Sequence, residues 1–144
     1  MMKGLATFVA NLALLAATAS ANEWMSDYGA ALNAAKAERK PLVVVIENPG
    51  DRAVRFDETS FSPQQPSSPL LAKYKLCRID ASSAYGQAVA KAFRASSLPL
   101  TSIIDKTGSV QIFVKQGALS AAEWHAALAT YQSGARPEPV ICST

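Results

Sequence analysis

Apolar runs along the chain predict the strands of a buried sheet. The run at residues 42–46 is apolar and largely β-branched at every position, which is typical of a strand buried on both faces. Less uniform runs at residues 76–79, 100–104 and 110–114 predict three more strands. Residues 105–108 form a turn of the kind that closes a hairpin between the last two strands.

Apolar residues spaced three and four positions apart predict helices before, between and after these strands. Ser120 and Glu123 fit the capping box that starts a helix, and Asp51 is a suitable N-cap residue. Pro69 suits the first turn of a short helix. The predicted helices cover residues 23–39, 51–57, 68–74, 85–93 and 120–131. The apolar stripe of the fourth helix is formed by Tyr85, Ala88, Val89, Ala92 and Phe93.

The order of these elements predicts an α/β fold class. Helices separate the first two strands, so a right-handed parallel crossover is expected between them. The last two strands form an antiparallel hairpin, which makes the sheet mixed. Because both apolar faces of a sheet must be covered, we expect a central mixed sheet with helices on both faces.

The first 21 residues have the pattern of a secretory signal peptide. Lys3 supplies a positive charge, an apolar run follows, and Ala19 and Ala21 give the small-residue pattern of a cleavage site. We therefore expect an exported protein, periplasmic or secreted, with a domain at residues 22–133 and a tail at 134–144. After cleavage no apolar run reaches the roughly 20 residues that a spanning helix needs, so no membrane span is predicted.

The charge, histidine and cysteine content of the chain exclude some classes of function and leave others open. The net charge is +3 and falls to +2 without Lys3, which is too weak to indicate nucleic-acid binding. His125 is the only histidine and has no cysteine nearby, so no metal site or cofactor is predicted. Cys77 and Cys142 leave three possibilities open: a structural disulfide, a redox pair, or a buried Cys77 with a separate thiol in the tail.

The element order resembles that of the thioredoxin-like proteins, and four short segments carry the resemblance. A helix leading into Lys-Pro and then a central strand, "AAKAERKPLVVVI", is similar to the opening of exported members. "FDETSFS" resembles the segment that follows the redox site, and "LCRIDAS" resembles the second strand. "SLPLTSIIDKTGSV" is similar to the strand that opens with the family's cis-proline and enters a hairpin. The resemblance implies a thioredoxin-like fold over most of the chain.

The resemblance also locates the family's Cys-x-x-Cys redox motif, and this chain lacks it. Counting back from "FDETSF" places the motif at residues 50–53, where Gly50 and Ala53 stand in place of both cysteines. Pro99 matches the family's cis-proline, which flanks the redox site and helps to bind extended peptide. The candidate binding residues for a peptide or an anion are therefore Gly50, Asp51, Arg52, Leu98 and Pro99. For the anion, an alternative is that Asp51 caps its own helix and occupies the same N–H groups.

Three functional hypotheses follow. The first is an exported thioredoxin-fold protein without dithiol redox catalysis that binds or scaffolds an unidentified protein or peptide. The second is a non-standard thiol-disulfide oxidoreductase that uses Cys77 and Cys142. The third is a structural part of an exported complex, with residues 136–139 of the tail as the contact.

Overall fold

The structure is a computed structural model and describes residues 23–55, 59 and 64–137. The predicted signal peptide, residues 1–21, lies outside the described residues. So do Cys142 and the end of the tail from residue 138.

The described part of the chain forms five strands, three α-helices and one 3₁₀ helix. Their order is close to the predicted one. In chain order they are β1 (Trp24–Met25), α1 (Tyr28–Glu38), β2 (Leu42–Glu47), the 3₁₀ helix (Ser68–Lys73), β3 (Lys75–Asp80), α2 (Ala84–Ala92), β4 (Leu100–Ile104), β5 (Gln111–Gln116) and α3 (Ala121–Tyr131).

The strands form one mixed sheet in the order β1-β3-β2-β4-β5. β3 runs parallel to both β1 and β2, whereas β4 runs antiparallel to β2 and β5. In the centre, Leu42 of β2 pairs with Ile104 of β4, and Ile46 pairs with Leu100. The predicted α/β class with a mixed central sheet is confirmed.

Each face of the sheet packs on its own hydrophobic core, because successive side chains of a strand point to opposite faces. Val44 and Ile46 of β2 face the core under α1 and α2, together with Ala31, Ala35, Cys77 and Val89. Val43 and Val45 face the second core, under the 3₁₀ helix and α3, together with Leu71, Tyr74, Leu76, Trp124 and Leu128. Helices therefore cover both faces, as the sequence pattern predicted.

The start of the first helix differs from the prediction of residues 23–39. Trp24 and Met25 instead form the edge strand β1, which pairs in parallel with Leu76 and Cys77 of β3. The helix begins only after Asp27, whose Oδ1 accepts a hydrogen bond of 2.7 Å from the Ala30 N–H. The apolar pattern could not show this, because a two-residue strand exists only through pairing with a distant strand.

The buried side of α2 also differs from the predicted stripe. Gly86 and Val89 are buried, whereas Tyr85, Ala88 and Ala92 are exposed. Small residues occur all round this helix, so their spacing alone gives a weak indication of the buried side. Gly86 is buried because the helix passes very close to the end of β3. A Cβ atom at this position would lie 1.7 Å from the Asp80 carbonyl oxygen.

We predict opposite effects for two Gly→Ala substitutions in helices. Gly86→Ala is expected to lower the free energy of unfolding by about 3 kcal/mol, because the added methyl overlaps a backbone atom that has no room to move. Gly29→Ala in α1 meets only the Asp27 Oδ1 atom, at 3.4 Å. It is expected to raise stability by about 0.5 kcal/mol through helix propensity. Urea denaturation measures both, and equal effects of the two changes would contradict the close approach at Gly86.

Candidate functional site

The candidate site lies at the carboxyl end of β2, where the sheet brings two separate segments together. Because Ile46 pairs with Leu100, the loop that follows β2 and the segment that precedes β4 leave the sheet at the same end. Ligands of open α/β sheets commonly bind beyond the carboxyl ends of strands. All five predicted binding residues lie at this end of the sheet: Gly50, Asp51, Arg52, Leu98 and Pro99.

The loop after β2 is closed by its own hydrogen bonds. Asn48 donates its N–H to the Val54 carbonyl over 3.4 Å, and Asp51 donates its N–H to the Asn48 carbonyl over 3.1 Å. The Asn48 Oδ1 accepts from the Gly50 N–H at 3.1 Å, and the Asp51 Oδ1 accepts from the Ala53 N–H at 3.0 Å. The N–H groups of Gly50, Asp51 and Ala53 therefore already donate within the loop.

These bonds also explain a difference from the predicted helix at residues 51–57. Residues 51–55 form turns and no helix, and residues 56 and 57 lie outside the described part of the chain. Asn and Asp side chains that bond to nearby backbone N–H groups compete with helix formation. Gly50, Asp51 and Arg52 are consequently exposed on a compact loop.

Leu98 and Pro99 form the other half of the site. The peptide bond between them is cis, and Pro99 is buried while Leu98 is half-buried against the core under α1 and α2. The Pro99 carbonyl accepts a hydrogen bond of 2.8 Å from the Gly117 N–H. Within the described residues no hydrogen bond reaches the backbone of Leu98.

Gln116 at the end of β5 holds the segment that leads to Leu98. Its Oε1 atom accepts hydrogen bonds of 3.0 Å from the N–H groups of both Ser96 and Ser97. Its Nε2 atom donates to the Arg94 carbonyl over 3.2 Å. The sequence analysis missed this residue, because an exposed Gln at the end of a strand has no distinctive signal before its partners are known.

A buried ion pair lies directly beneath the site. Glu47, the last residue of β2, is only 1% exposed and accepts a hydrogen bond from the Arg78 Nε atom on β3. Val45 pairs with Arg78, and Glu47 pairs with Asp80, so Glu47 and Arg78 point to the same face of the sheet. Sequence reasoning missed this pair: Glu47 follows the predicted strand 42–46 and Arg78 lies in the predicted strand 76–79, but their contact depends on the register between the two strands.

Cys77 lies in the middle of β3, away from the loop after β2. Its thiol is free and fully buried, and burial, followed by the nearby negative charge of Asp27, raises its pKa to about 12. A thiol with so high a pKa holds almost no thiolate at neutral pH. Its predicted partner Cys142 lies outside the described residues, so their pairing stays a prediction.

Comparisons with known proteins identify the fold. No family model matches the chain, and no curated protein matches it either. Among solved structures, a thioredoxin from Thermus thermophilus matches with a TM-score of 0.62 at 19% identity, over 78% of this chain and 91% of that one. The oxidised C-terminal domain of Neisseria meningitidis DsbD matches with a TM-score of 0.55 at 16% identity, over 78% of this chain and all of that domain.

The chain has the thioredoxin-like fold. The resemblance expected from the four sequence segments is thereby confirmed at the level of the fold.

Other candidate chemistry in this thioredoxin-like domain is limited. His125 is exposed on α3. Over residues 23–55, 59 and 64–137, no group of three or more His, Cys, Asp or Glu side chains is placed to hold a metal ion. No helix in the same ranges is long and apolar enough to cross a membrane.

Two ion pairs of the thioredoxin-like domain, one with a buried carboxylate and one with an exposed carboxylate, allow a matched test of their contributions to stability. Glu47→Ala is expected to lower the free energy of unfolding by about 3 kcal/mol, because it leaves Arg78 without its buried partner. Glu38 also pairs with a cation, at 2.5 Å from the Lys75 Nζ, but its side chain is 45% exposed. Glu38→Ala is expected to cost less than about 1 kcal/mol. Chemical denaturation measures both; a small cost at Glu47 would show that the pair does not support the end of β2.

Proposed function

We propose that this chain is an exported thioredoxin-fold protein that binds an extended protein segment and performs no dithiol redox catalysis. One observation carries the redox part of the proposal. The loop after β2, where the resemblance places the redox motif, has Gly50 and Ala53 in place of cysteines. The fold thus retains the location of a thioredoxin redox site without its nucleophile.

The chemistry of the remaining thiol supports this interpretation. Thiol–disulfide exchange requires an accessible thiolate, and its rate depends on the pKa of the attacking thiol. Cys77 is fully buried, and its pKa is raised to about 12. It sits in the middle of a central strand and faces the core under α1 and α2.

The geometry around Leu98 supports a binding role. An extended peptide can pair with an unoccupied backbone edge, where main-chain hydrogen bonds supply affinity. Leu98 offers such an edge, since none of its backbone groups bonds to the described residues. Gln116 holds the two preceding residues in place, so less ordering is needed when a ligand binds. The exposed loop with Gly50, Asp51 and Arg52 leaves the sheet at the same end.

Export is proposed from the first 21 residues, whose charge and apolar pattern are those of a signal peptide. The destination is the periplasm or the extracellular space. In either place the protein would meet other exported or unfolded chains, which are suitable partners for a site that recognises extended backbone.

The redox proposal predicts an unreactive Cys77. Protein recovered after export, with Asn22 as its expected first residue, should not be alkylated at Cys77 under native conditions at pH 8. With a pKa of about 12, roughly one thiol in ten thousand is ionised at that pH. Denatured protein should be labelled fully, as mass spectrometry of both states will show. Dithiothreitol-dependent reduction of insulin disulfides should not exceed the uncatalysed rate.

The Cys77→Ser variant is the control for that assay. Reductase activity that disappears in this variant would overturn the proposal and favour the non-standard oxidoreductase that uses Cys77 and Cys142. A disulfide between the two cysteines that mild reductants open readily would have the same meaning.

The binding proposal predicts a role for Gln116. Peptides selected from a random library on the mature protein are expected to bind Gln116→Ala about tenfold more weakly, a loss of about 1.4 kcal/mol. The variant no longer holds the N–H groups of Ser96 and Ser97. Gln116→Glu keeps the accepting oxygen and should retain most of the affinity. Gln132→Ala, on an exposed residue after α3, is the remote control.

Fluorescence anisotropy of the labelled peptides measures these affinities. Selected peptides that bind wild type and Gln116→Ala equally well would place the peptide site elsewhere on the protein.

A further inference from the structure

A cavity of about 500 Å³ opens at the end of the sheet opposite the candidate peptide site. It is lined by Lys36, Arg39, Lys106, Thr107 and Ser133. Lys36 and Arg39 come from the end of α1, and Lys106 comes from the hairpin between β4 and β5. β2 begins at this end, where Leu42 pairs with Ile104. Three cations from two separate elements thus converge on one cavity, and no carboxylate lines it.

The two lysine side chains are held by close packing against glycine backbone. Gly108 and Gly134 both have positive φ angles, 74° and 75°, a conformation that side chains other than glycine rarely adopt. A Cβ at Gly108 would lie 2.6 Å from the Lys36 Cγ, and one at Gly134 would lie 2.7 Å from the Lys106 Cβ. The side-chain stems therefore lie directly on the glycines, which limits the directions in which the ammonium groups can point.

Backbone hydrogen bonds also hold the individual segments that line the cavity. Lys106 donates its N–H to the Gly134 carbonyl over 2.9 Å, which joins the hairpin to the segment after α3. At the end of α1, Arg39 adopts a left-handed conformation with φ of 53°, and its N–H donates to the carbonyls of the last turn. These bonds use no charged side-chain group.

Glu38 and Asp105, which neighbour Arg39 and Lys106 in the chain, make their contacts with groups other than the lining cations. Glu38 is 2.5 Å from the Lys75 Nζ. Asp105 accepts hydrogen bonds from the N–H groups of Ser109 and Val110, both at 3.0 Å, and from the Thr107 hydroxyl at 2.7 Å. Among the described residues, no salt bridge joins a carboxylate to any of the three lining cations.

A simpler explanation covers only part of this arrangement. Cations near the carboxyl end of a helix interact favourably with its dipole, which accounts for Lys36 and Arg39. It does not account for Lys106, which the hairpin brings to the same cavity. Since like charges repel, an anion in the cavity would reduce the repulsion among these three exposed cations.

We propose that this cavity binds the phosphoryl group of a small anionic molecule or a lipid headgroup. The guanidinium group of Arg39 matches the oxygens of a phosphoryl group as a planar fork, while the two lysines contribute point charges. The Ser133 hydroxyl remains as a further donor, since the Thr107 hydroxyl already donates to Asp105. The site is independent of the proposed peptide site, because the two lie at opposite ends of β2.

Titration of the mature protein with inorganic pyrophosphate at low ionic strength tests the proposal. We expect saturable one-site binding by calorimetry, with shifts of the Gly108 and Gly134 amide signals in NMR spectra, that weakens as salt is added. Lys106→Gln should weaken binding about tenfold or more, and Arg39→Lys should weaken it several-fold because it keeps the charge but loses the fork. Lys91→Gln on α2 changes the net charge equally and should leave affinity unchanged.

Lys36→Gln on the exposed surface of α1 provides a second variant should Lys106→Gln disturb the hairpin, and it is expected to weaken binding similarly. Equal pyrophosphate affinity in wild type, Lys36→Gln and Lys106→Gln, or no binding to wild type, would overturn the proposal.

Vesicles of phosphatidylglycerol and of phosphatidylcholine separate the two sources of the phosphoryl group. Sedimentation with phosphatidylglycerol vesicles alone, lost in Lys106→Gln and competed by pyrophosphate, assigns a lipid headgroup. Pyrophosphate binding without sedimentation assigns a soluble ligand, and sedimentation that Lys106→Gln does not reduce contradicts the site.

Discussion

Burial of β2 on both faces is the constraint on which the rest of this structure depends. Every residue from Leu42 to Glu47 is buried, so each face of the strand needs its own layer of helices. Glu47 ends the strand with a charge that has no access to solvent, and Arg78 on β3 compensates it. A buried charge is tolerated only with such a partner, so the pair ties the end of β2 to β3 just below the candidate site.

The two ends of this strand differ in their chemistry. At its carboxyl end, the loop with Gly50 and the segment with Leu98 leave the sheet together, and the N–H groups of Gly50 and Ala53 donate to side chains of the loop. The proposed peptide site rests on the backbone of Leu98, which no hydrogen bond from the described residues reaches. At the opposite end, cations of α1 and of the β4–β5 hairpin line a cavity that no carboxylate shares. We propose an extended peptide as the ligand at the first end and a phosphoryl group at the second.

The absence of cysteines at residues 50 and 53 agrees with the chemistry of the remaining thiol. A thioredoxin-like fold supports exchange chemistry only when a thiolate is accessible, and the thiol of Cys77 serves the hydrophobic core instead. Desolvation raises the pKa of Cys77 to about 12, which supports the proposal that this thiol takes no part in exchange. The proposed binding role rests on the backbone of Leu98 and on the segment that Gln116 holds.

The sequence by itself determined the sheet, the element order and the missing redox motif, because these depend on local apolar patterns and on residue identity. The apolar, β-branched run from Val43 to Ile46 predicts a buried strand. Gly50 and Ala53 cannot act as nucleophiles in any fold. Tertiary structure decided which distant residues meet. The two-residue strand β1, the Glu47–Arg78 pair and the three cations of the cavity each join segments far apart in the chain. Such contacts depend on strand order and register, which come from the packing of the whole domain and have no local signal.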